Sequence, residues 1–237
     1  MPFPYYFRFD NYYLILVLPA ILFSLFAQWK VQSTFAKYSK TRTQRGATGA
    51  DVAGAILRQN GLYDIRVERV SGRLSDHFDP RKKVIRLSGS VGDVASVSAV
   101  GVAAHEAGHA VQHAVGYTPI KLRQAIIPVT RVGSFLAFPL ILVGLLLSNE
   151  MLLNVGIVFF GLAFVFQLVT LPVEFDASKR ALQTLENSNM LDPGELQGAR
   201  KVLSAAALTY VAALAVTLAQ LLRILLLFGG GGGRSRR

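Results

Sequence analysis

Cysteine is absent from all 237 residues of the chain, and charged residues are scarce. The lack of cysteine excludes a disulfide-stapled fold, a cysteine-ligated zinc finger and a catalytic thiol. Charged residues make up 16% of the chain and hydrophobic residues 52%, whereas soluble domains are typically about a quarter charged. Since the apolar residues are also clustered, we do not expect a purely soluble protein.

Four apolar stretches are long enough to cross a bilayer, for which a helix needs about 20 residues. They occupy residues 12–29, 132–147, 152–171 and 202–228. The second and third form a predicted hairpin over residues 132–171. The first is expected to be a retained anchor, because it lacks a strong basic region before it and Gln28-Trp29-Lys30 is a poor signal-peptide cleavage site.

The basic residues predict the orientation of these segments. Between Lys30 and Arg131 the sequence has 16 Lys and Arg against 7 Asp and Glu. The hairpin loop has no basic residue. The positive-inside rule therefore places residues 30–131 and 173–201 in the cytoplasm, and the N-terminus and hairpin loop outside. Residues 229–237 are glycine-rich and arginine-rich, and we expect a flexible tail.

The net charge of +11 needs a partner of opposite sign. Anionic lipid headgroups account for it, because the basic residues flank the predicted membrane segments. No basic stripe with interleaved aromatic residues is visible, so nucleic-acid binding is not expected.

The segment between the first two spans has the pattern of a small α+β unit. A helix over residues 48–60 is predicted by a capping box in which Asp51 replaces the usual Glu. Strands are predicted at residues 65–70 and 83–88. A second helix is predicted from about Asp93 to Ala114, ended by Gly116.

This second helix contains His105-Glu106-Ala107-Gly108-His109, an H-E-x-x-H motif. Residues four positions apart share a helical face, so both imidazoles can reach one metal ion. Glu106 lies about 100° around the helix from His105, where it can take a proton from the attacking water and pass it to the leaving amine. The structural alternative is a pair of hydrogen-bonded histidines on a packed helix.

A catalytic zinc site needs a third protein ligand, for which we consider His113, Glu174 and Asp192. His113 continues the same helical stripe, and three successive turns of a straight helix cannot converge on one tetrahedral ion. Asp192 precedes Pro193 and has the pattern of a helix N-cap. Glu174 directly follows the third span, where an acid needs a partner that a metal would supply. We therefore prefer Glu174, whose structural alternative is a first-turn helix residue.

The chain resembles the bacterial membrane-bound neutral zinc metallopeptidases of the YugP-like group along nearly its whole length. The matching stretches are QWKV at 28–31, STF at 33–35, DHFDP at 76–80, GVAAHEAGHA at 101–110, LVTLPVEFDAS at 168–178 and AAALTYV at 205–211. The resemblance implies a multi-pass protein of the bacterial inner membrane that uses Zn²⁺ to hydrolyse peptides or membrane proteins. It leaves the oligomeric state open.

A more distant similarity is to membrane gluzincins of the heat-shock and CAAX-processing type. In those proteins a Glu ligand opens an E-[FY]-x-A-D motif after a transmembrane hairpin, and this similarity implies Glu174 as the third ligand. Ser178 stands at the last position of the motif in place of Asp. Either Asp176 supplies the hydrogen bond that this Asp makes in the relatives, or that support is lost.

The predicted fold is an α-helical membrane protein with about four transmembrane helices and a small α+β zincin-like domain. Its segments are an anchor (12–29), a cytoplasmic zincin-like domain (30–131), a transmembrane hairpin (132–171), a helix supplying the third ligand (172–201), a transmembrane helix (202–228) and a tail (229–237).

The preferred function is a zinc endopeptidase at the cytoplasmic membrane face. Its substrate would add as a strand to an open edge of the strand at 83–88. His77 and Tyr210 are weaker candidates for stabilising an oxyanion, since a turn histidine and a membrane-interface tyrosine explain them as well.

Two other functions remain at this point. One is a site-2-type intramembrane zinc protease with Asp192 as third ligand, which the polar character of residues 183–201 disfavours. The other is a membrane scaffold without activity, which the intact H-E-x-x-H motif disfavours.

Overall fold

The computed structural model describes residues 10–72 and 75–228 of the chain. It is mostly helical with one small sheet, and this confirms the predicted fold class. The helices are α1 (Leu18–Tyr38), α2 (Gly49–Gln59), α3 (Gly89–Gly92), α4 (Val97–Ala114), α5 (Thr118–Leu146), α6 (Glu150–Asn187) and α7 (Pro193–Phe228). The strands are β1 (Arg66–Val70), β2 (His77–Asp79) and β3 (Val84–Ser88). A π-helical segment, Tyr13–Val17, leads into α1.

In the described part of the chain, four helices are long and apolar enough to cross a membrane, as expected. They are Tyr13–Tyr38, Thr118–Leu146, Glu150–Asn187 and Pro193–Phe228. Each extends beyond the apolar stretch seen in the sequence, because a helix continues wherever its backbone bonds are satisfied, whatever the polarity of its side chains. The predicted tail at 229–237 lies outside the described residues.

The separate helix expected over residues 172–201 is not observed. Residues 172–187 continue α6, with Pro172 inside the helix, and α7 begins at Pro193. Proline removes one hydrogen bond from a helix but does not always end it. Glu174 therefore lies on the same helix as the third predicted span.

The chain forms two compact units. The first draws on the described parts of Met1–Phe26, Leu122–Thr170 and Thr209–Arg237. In it the Arg223 guanidinium donates to the Asp10 carboxylate from Nε at 3.0 Å and from Nη2 at 2.6 Å. This contact explains why the fourth apolar stretch tolerates an arginine, since an ionised group in a membrane helix needs a counter-charge.

The second unit comprises Ala27–Lys121 and Leu171–Leu208. Its sheet has the order β1-β3-β2, with β1 parallel and β2 antiparallel to β3. Strand β2 was not predicted, because its three residues are too few to show a period of two. The expected open edge on the strand at 83–88 is wrong, since β3 is the central strand and β1 and β2 are the edges.

The capping box predicted for α2 is confirmed. The Thr48 side chain accepts from the Asp51 amide, and the Asp51 carboxylate accepts from the Thr48 amide at 2.9 Å. The helix that carries the H-E-x-x-H motif begins four residues later than predicted. Ser96 is its N-cap and accepts from the Ala99 amide at 3.3 Å, while α3 occupies residues 89–92.

The core of this unit gathers around the motif helix α4. Buried apolar side chains from α2, β3, α4, α6 and α7 form one cluster. Its fully buried members include Ile56, Ile85, Val100, Ala107 and Leu185. Because α4 is surrounded on several sides, its own side chains are small, as the run Val97–Ala104 shows.

Candidate metal centre

His105 and His109 lie one turn apart on α4, and Glu174 reaches them from α6. The Glu174 Oε2 atom lies 3.2 Å from His105 Nε2 and 3.5 Å from His109 Nε2. The three ligand atoms lie within 4.8 Å of one another. Glu174 and His109 are buried, and His105 is partly exposed. Residues far apart in sequence thus present three donor atoms to one point.

Gly108, inside the motif, allows the two helices to approach closely enough for this. A Cβ atom on Gly108 would lie 2.6 Å from the Ala177 carbonyl oxygen of α6. Ala177 itself is fully buried. Since real Cβ atoms essentially never come that close to an oxygen, only glycine fits between α4 and α6 at this level.

Each imidazole is held by a second side chain at its other nitrogen. His105 Nδ1 lies 3.0 Å from Ser178 Oγ, one turn along α6 from Glu174. His109 Nδ1 donates to Gln112 Oε1 at 3.0 Å, because an amide oxygen can only accept. With its proton on Nδ1, neutral His109 presents a free lone pair at Nε2, toward Glu174.

The Gln112 side chain is fixed in turn. It is fully buried, and its amide nitrogen donates to the Val173 carbonyl and to the Asp176 carboxylate, both at 2.8 Å. The Arg180 guanidinium donates to the same Asp176 oxygen at 2.6 Å. A chain of hydrogen bonds therefore runs from His109 through Gln112 and Asp176 to Arg180, and it orients the imidazole.

Carboxylates dominate the electrostatics of the site. Burial lowers the pKa of His109, but the hydrogen bond that its protonated ring donates to the Glu174 carboxylate and the negative charge of Glu106 outweigh burial, so this pKa is raised. Glu106 is 9% exposed, and among the described residues none forms a hydrogen bond or ion pair with its carboxylate. Two carboxylates next to two imidazoles favour a bound cation.

The donor set fits zinc. Two imidazole nitrogens and one carboxylate oxygen are a common protein contribution to a catalytic zinc ion, with a fourth position left for water. His105 and His109 each contact a second side chain through Nδ1, the ring nitrogen that does not face Glu174, and metal-ligating histidines usually have such a supporting contact. No other group of three or more His, Asp or Glu side chains that could hold a metal ion is found in residues 10–72 and 75–228.

Comparison with known proteins agrees with this chemistry. Residues 13–229 match the family described as "Putative neutral zinc metallopeptidase". The chain belongs to this family. It is also 48% identical to the "Putative membrane protease YugP" of Bacillus subtilis (strain 168) over 219 residues, which are 92% of this chain and 97% of that relative. No solved structure matches the chain.

Family membership and the donor set together make zinc the cofactor of this metallopeptidase. The four apolar helices and the similarity to a membrane protease make it a membrane protein.

The other two candidate ligands of this metallopeptidase lie elsewhere. His113 is exposed near the end of α4, and its ring meets Phe78 of β2 at 6.0 Å between centroids. Asp192 lies just before α7, where its amide donates to the Glu195 carboxylate at 3.0 Å. Neither joins His105, His109 and Glu174. Both have the helix-terminal positions that their sequence context favours.

The two weaker oxyanion candidates are also placed. His77 is exposed on β2, with Nδ1 2.8 Å from the Ser75 carbonyl oxygen. Tyr210 lies on α7, within the first unit. Neither belongs to the group formed by His105, His109 and Glu174.

The structure shows how Ser178 and Asp176, which the sequence left in question, contact the candidate metal centre. Ser178 replaces the expected Asp and still contacts His105, while Asp176 supports His109 through Gln112. The support that the sequence left in question is therefore present, divided between two residues. The role of Gln112 was only weakly indicated by the sequence. It lies three residues after His109, and this spacing puts both residues on one helical face.

Proposed function

We propose that this protein is a membrane-embedded endopeptidase in which His105, His109 and Glu174 hold zinc and Glu106 is the catalytic base. The observation that supports it most is the position of the Glu174 carboxylate, within 3.5 Å of both Nε2 atoms. A buried carboxylate oxygen this close to two imidazole nitrogens completes the donor set that a catalytic zinc ion takes from a protein.

Zinc at this site would supply Lewis acidity, which activates water and polarises a substrate carbonyl. The chain's own residues do the rest. Glu106 follows His105 directly and carries no partner among the described residues, so its carboxylate is available to accept a proton. It would take that proton from the attacking water and give it to the leaving amine.

The peptide substrate would bind along β2, the edge strand that packs on the motif helix. Strand β2 is antiparallel to β3 and contacts α4, where Phe78 meets His113. Its outer side pairs with no other strand in the described part of the chain. An extended peptide could add there by backbone hydrogen bonds, which suits an enzyme that cleaves flexible segments.

The active site would lie on the cytoplasmic side of a bacterial inner membrane. The support for this orientation is the excess of Lys and Arg in residues 30–131, the segment that contains α4. Peptides and the cytoplasmic segments of membrane proteins are then the substrates that can reach it.

The test compares cells that produce the active protein with cells that produce Glu106→Gln. Quantitative proteomics of membrane fractions should show fragments that are lost, and full-length proteins that accumulate, in the variant. The purified variant should retain one zinc ion per chain and its fold, because Glu106 is proposed as base and not as ligand. Loss of zinc from Glu106→Gln, or unchanged proteolysis, would contradict the assignment.

A further inference from the structure

The unit that carries the metal centre also contains a cavity of about 700 Å³ between α1 and α7. Four of its ten lining residues are Lys or Arg and none is acidic. None of them belongs to the metal centre, so the proposed peptidase chemistry gives this cavity no role.

One wall is a single face of α1. Lys30, Thr34 and Lys37 follow one another at spacings of four and three residues, which places them on one side of the helix. The Lys37 ammonium lies 5.7 Å from the centroid of the Tyr38 ring. Tyr38 in turn packs on α7, where a Cβ atom at Gly198 would lie 2.8 Å from its ring. This contact holds the two helices together at one end of the cavity.

The opposite wall is a single face of α7. Arg200 and Lys201 stand one helical turn before Ser204, and all three side chains are exposed. Farther along the same face the lining becomes apolar, with Ala205 and Leu208. Both helices therefore bring cations and hydroxyl groups to the cavity, and α7 adds an apolar surface next to them.

The charge of the cavity is uncompensated within the described part of the chain. Some other basic residues of this unit have acidic partners, such as Lys83 with Asp64 at 2.7 Å. No described carboxylate pairs with the four cavity cations. The nearby acid on α7, Glu195, is bonded instead to the backbone amides of Gln44 and Asp192. Four like charges facing one space repel one another unless an anion bridges them.

We propose that this cavity binds the phosphodiester headgroup of an anionic phospholipid. A guanidinium, ammonium groups and hydroxyls are the donors that phosphate oxygens require. A free phosphate would satisfy the same donors, but it would not use the apolar wall. An amphiphile would, since Lys30 follows the apolar stretch of α1 and Leu208 lies within that of α7.

The only tryptophan of the chain provides the readout. Trp29 immediately precedes Lys30 and is 62% exposed. The full-length protein is reconstituted in nanodiscs of phosphatidylcholine and phosphatidylglycerol, in which one lipid or the other carries brominated chains. Brominated phosphatidylglycerol is expected to quench Trp29 fluorescence more strongly, mole for mole, than brominated phosphatidylcholine.

Double variants that remove the same charge from different places distinguish lipid binding in the cavity from a general attraction of anionic lipid to the basic protein. Lys37→Gln/Arg200→Gln should reduce the preference for phosphatidylglycerol by at least about fivefold, because a cation near an anionic lipid contributes roughly a factor of five. Lys30→Gln/Lys201→Gln should behave alike. Arg58→Gln/Lys82→Gln removes the same charge from exposed positions outside the cavity and should keep the preference. An unchanged zinc content shows that each variant is folded.

Equal quenching by both lipids in the wild-type protein, or an equal loss in all three double variants, would overturn the proposal. A separate competition experiment at constant ionic strength tests whether the cavity binds a lipid headgroup or free inorganic phosphate. If sodium phosphate does not displace brominated phosphatidylglycerol any better than sodium chloride does, the lipid is the ligand. If sodium phosphate displaces it and sodium chloride does not, the cavity recognises the phosphate group alone, the apolar wall adds nothing, and the assignment to lipid is wrong.

Discussion

Gly108 and Ala177 lie in backbone contact, and this contact joins the motif helix to the helix that supplies Glu174. A methyl group on Gly108 would lie 2.6 Å from the Ala177 carbonyl oxygen. Glu174 lies on α6 less than one turn before Ala177, and His109 directly follows Gly108. The close approach of the two backbones and the convergence of the three proposed ligands are therefore one structural feature.

Gly108→Ala should separate α4 from α6 and weaken zinc binding. Over-packing of this kind costs about 1–3 kcal/mol in the free energy of unfolding, although alanine is the better helix former. Gly101→Ala is the matched control on the same helix, because its Cβ would meet Ala199 at an ordinary 3.5 Å. Thermal unfolding and zinc titration of both variants test this. Equal behaviour of the two variants would refute the steric argument.

Glu174→Ala should lower zinc affinity by well over tenfold. Loss of a direct ligand should exceed the loss of a supporting hydrogen bond, which alone costs about 10–100-fold. Competition against a zinc chelator measures the change. Asp192→Asn serves as control and should bind zinc as the wild type does. If the control lost zinc and Glu174→Ala kept it, the site-2-type arrangement would be right instead.

Gln112→Met should weaken zinc binding about 10–100-fold while keeping most of the packing volume. The variant leaves His109 Nδ1 without its acceptor and frees the ring to rotate. Gln59→Met, at an exposed glutamine of α2, is the same substitution away from the site. Zinc affinity and thermal stability are measured together. A loss of stability without a loss of affinity would show that Gln112 is only a core residue.

The proposed orientation predicts which introduced cysteines are accessible from outside intact cells. The chain has no native cysteine, so every labelled thiol is the introduced one. Arg45→Cys should resist a membrane-impermeant maleimide until the cells are permeabilised, and Asn149→Cys should react at once. Both side chains are exposed. Labelling of position 45 in intact cells would place the active site outside the cytoplasm.

Features that depend on neighbours in sequence could be predicted from the sequence alone. The i, i+4 spacing of His105 and His109 places both on one face of any helix that contains them. The capping box at Thr48 and Asp51 involves residues three positions apart. The four apolar helices follow from length and composition. In each case the deciding interaction lies within one helix or with the surrounding solvent.

Features that depend on packing between distant segments required the tertiary structure. Glu174 was preferred among three candidates, yet only the packing of α6 on α4 brings it to the histidines, 69 residues away from His105. The roles of Ser178 and Gln112, and the central place of β3, likewise depend on which segments meet. The periodicity of apolar residues predicts which face of a helix or strand is buried, but not which other segment packs against that face. The helical and apolar character of this protein was therefore determined locally, whereas the site, with its support and its accessible strand edge, was decided by tertiary packing.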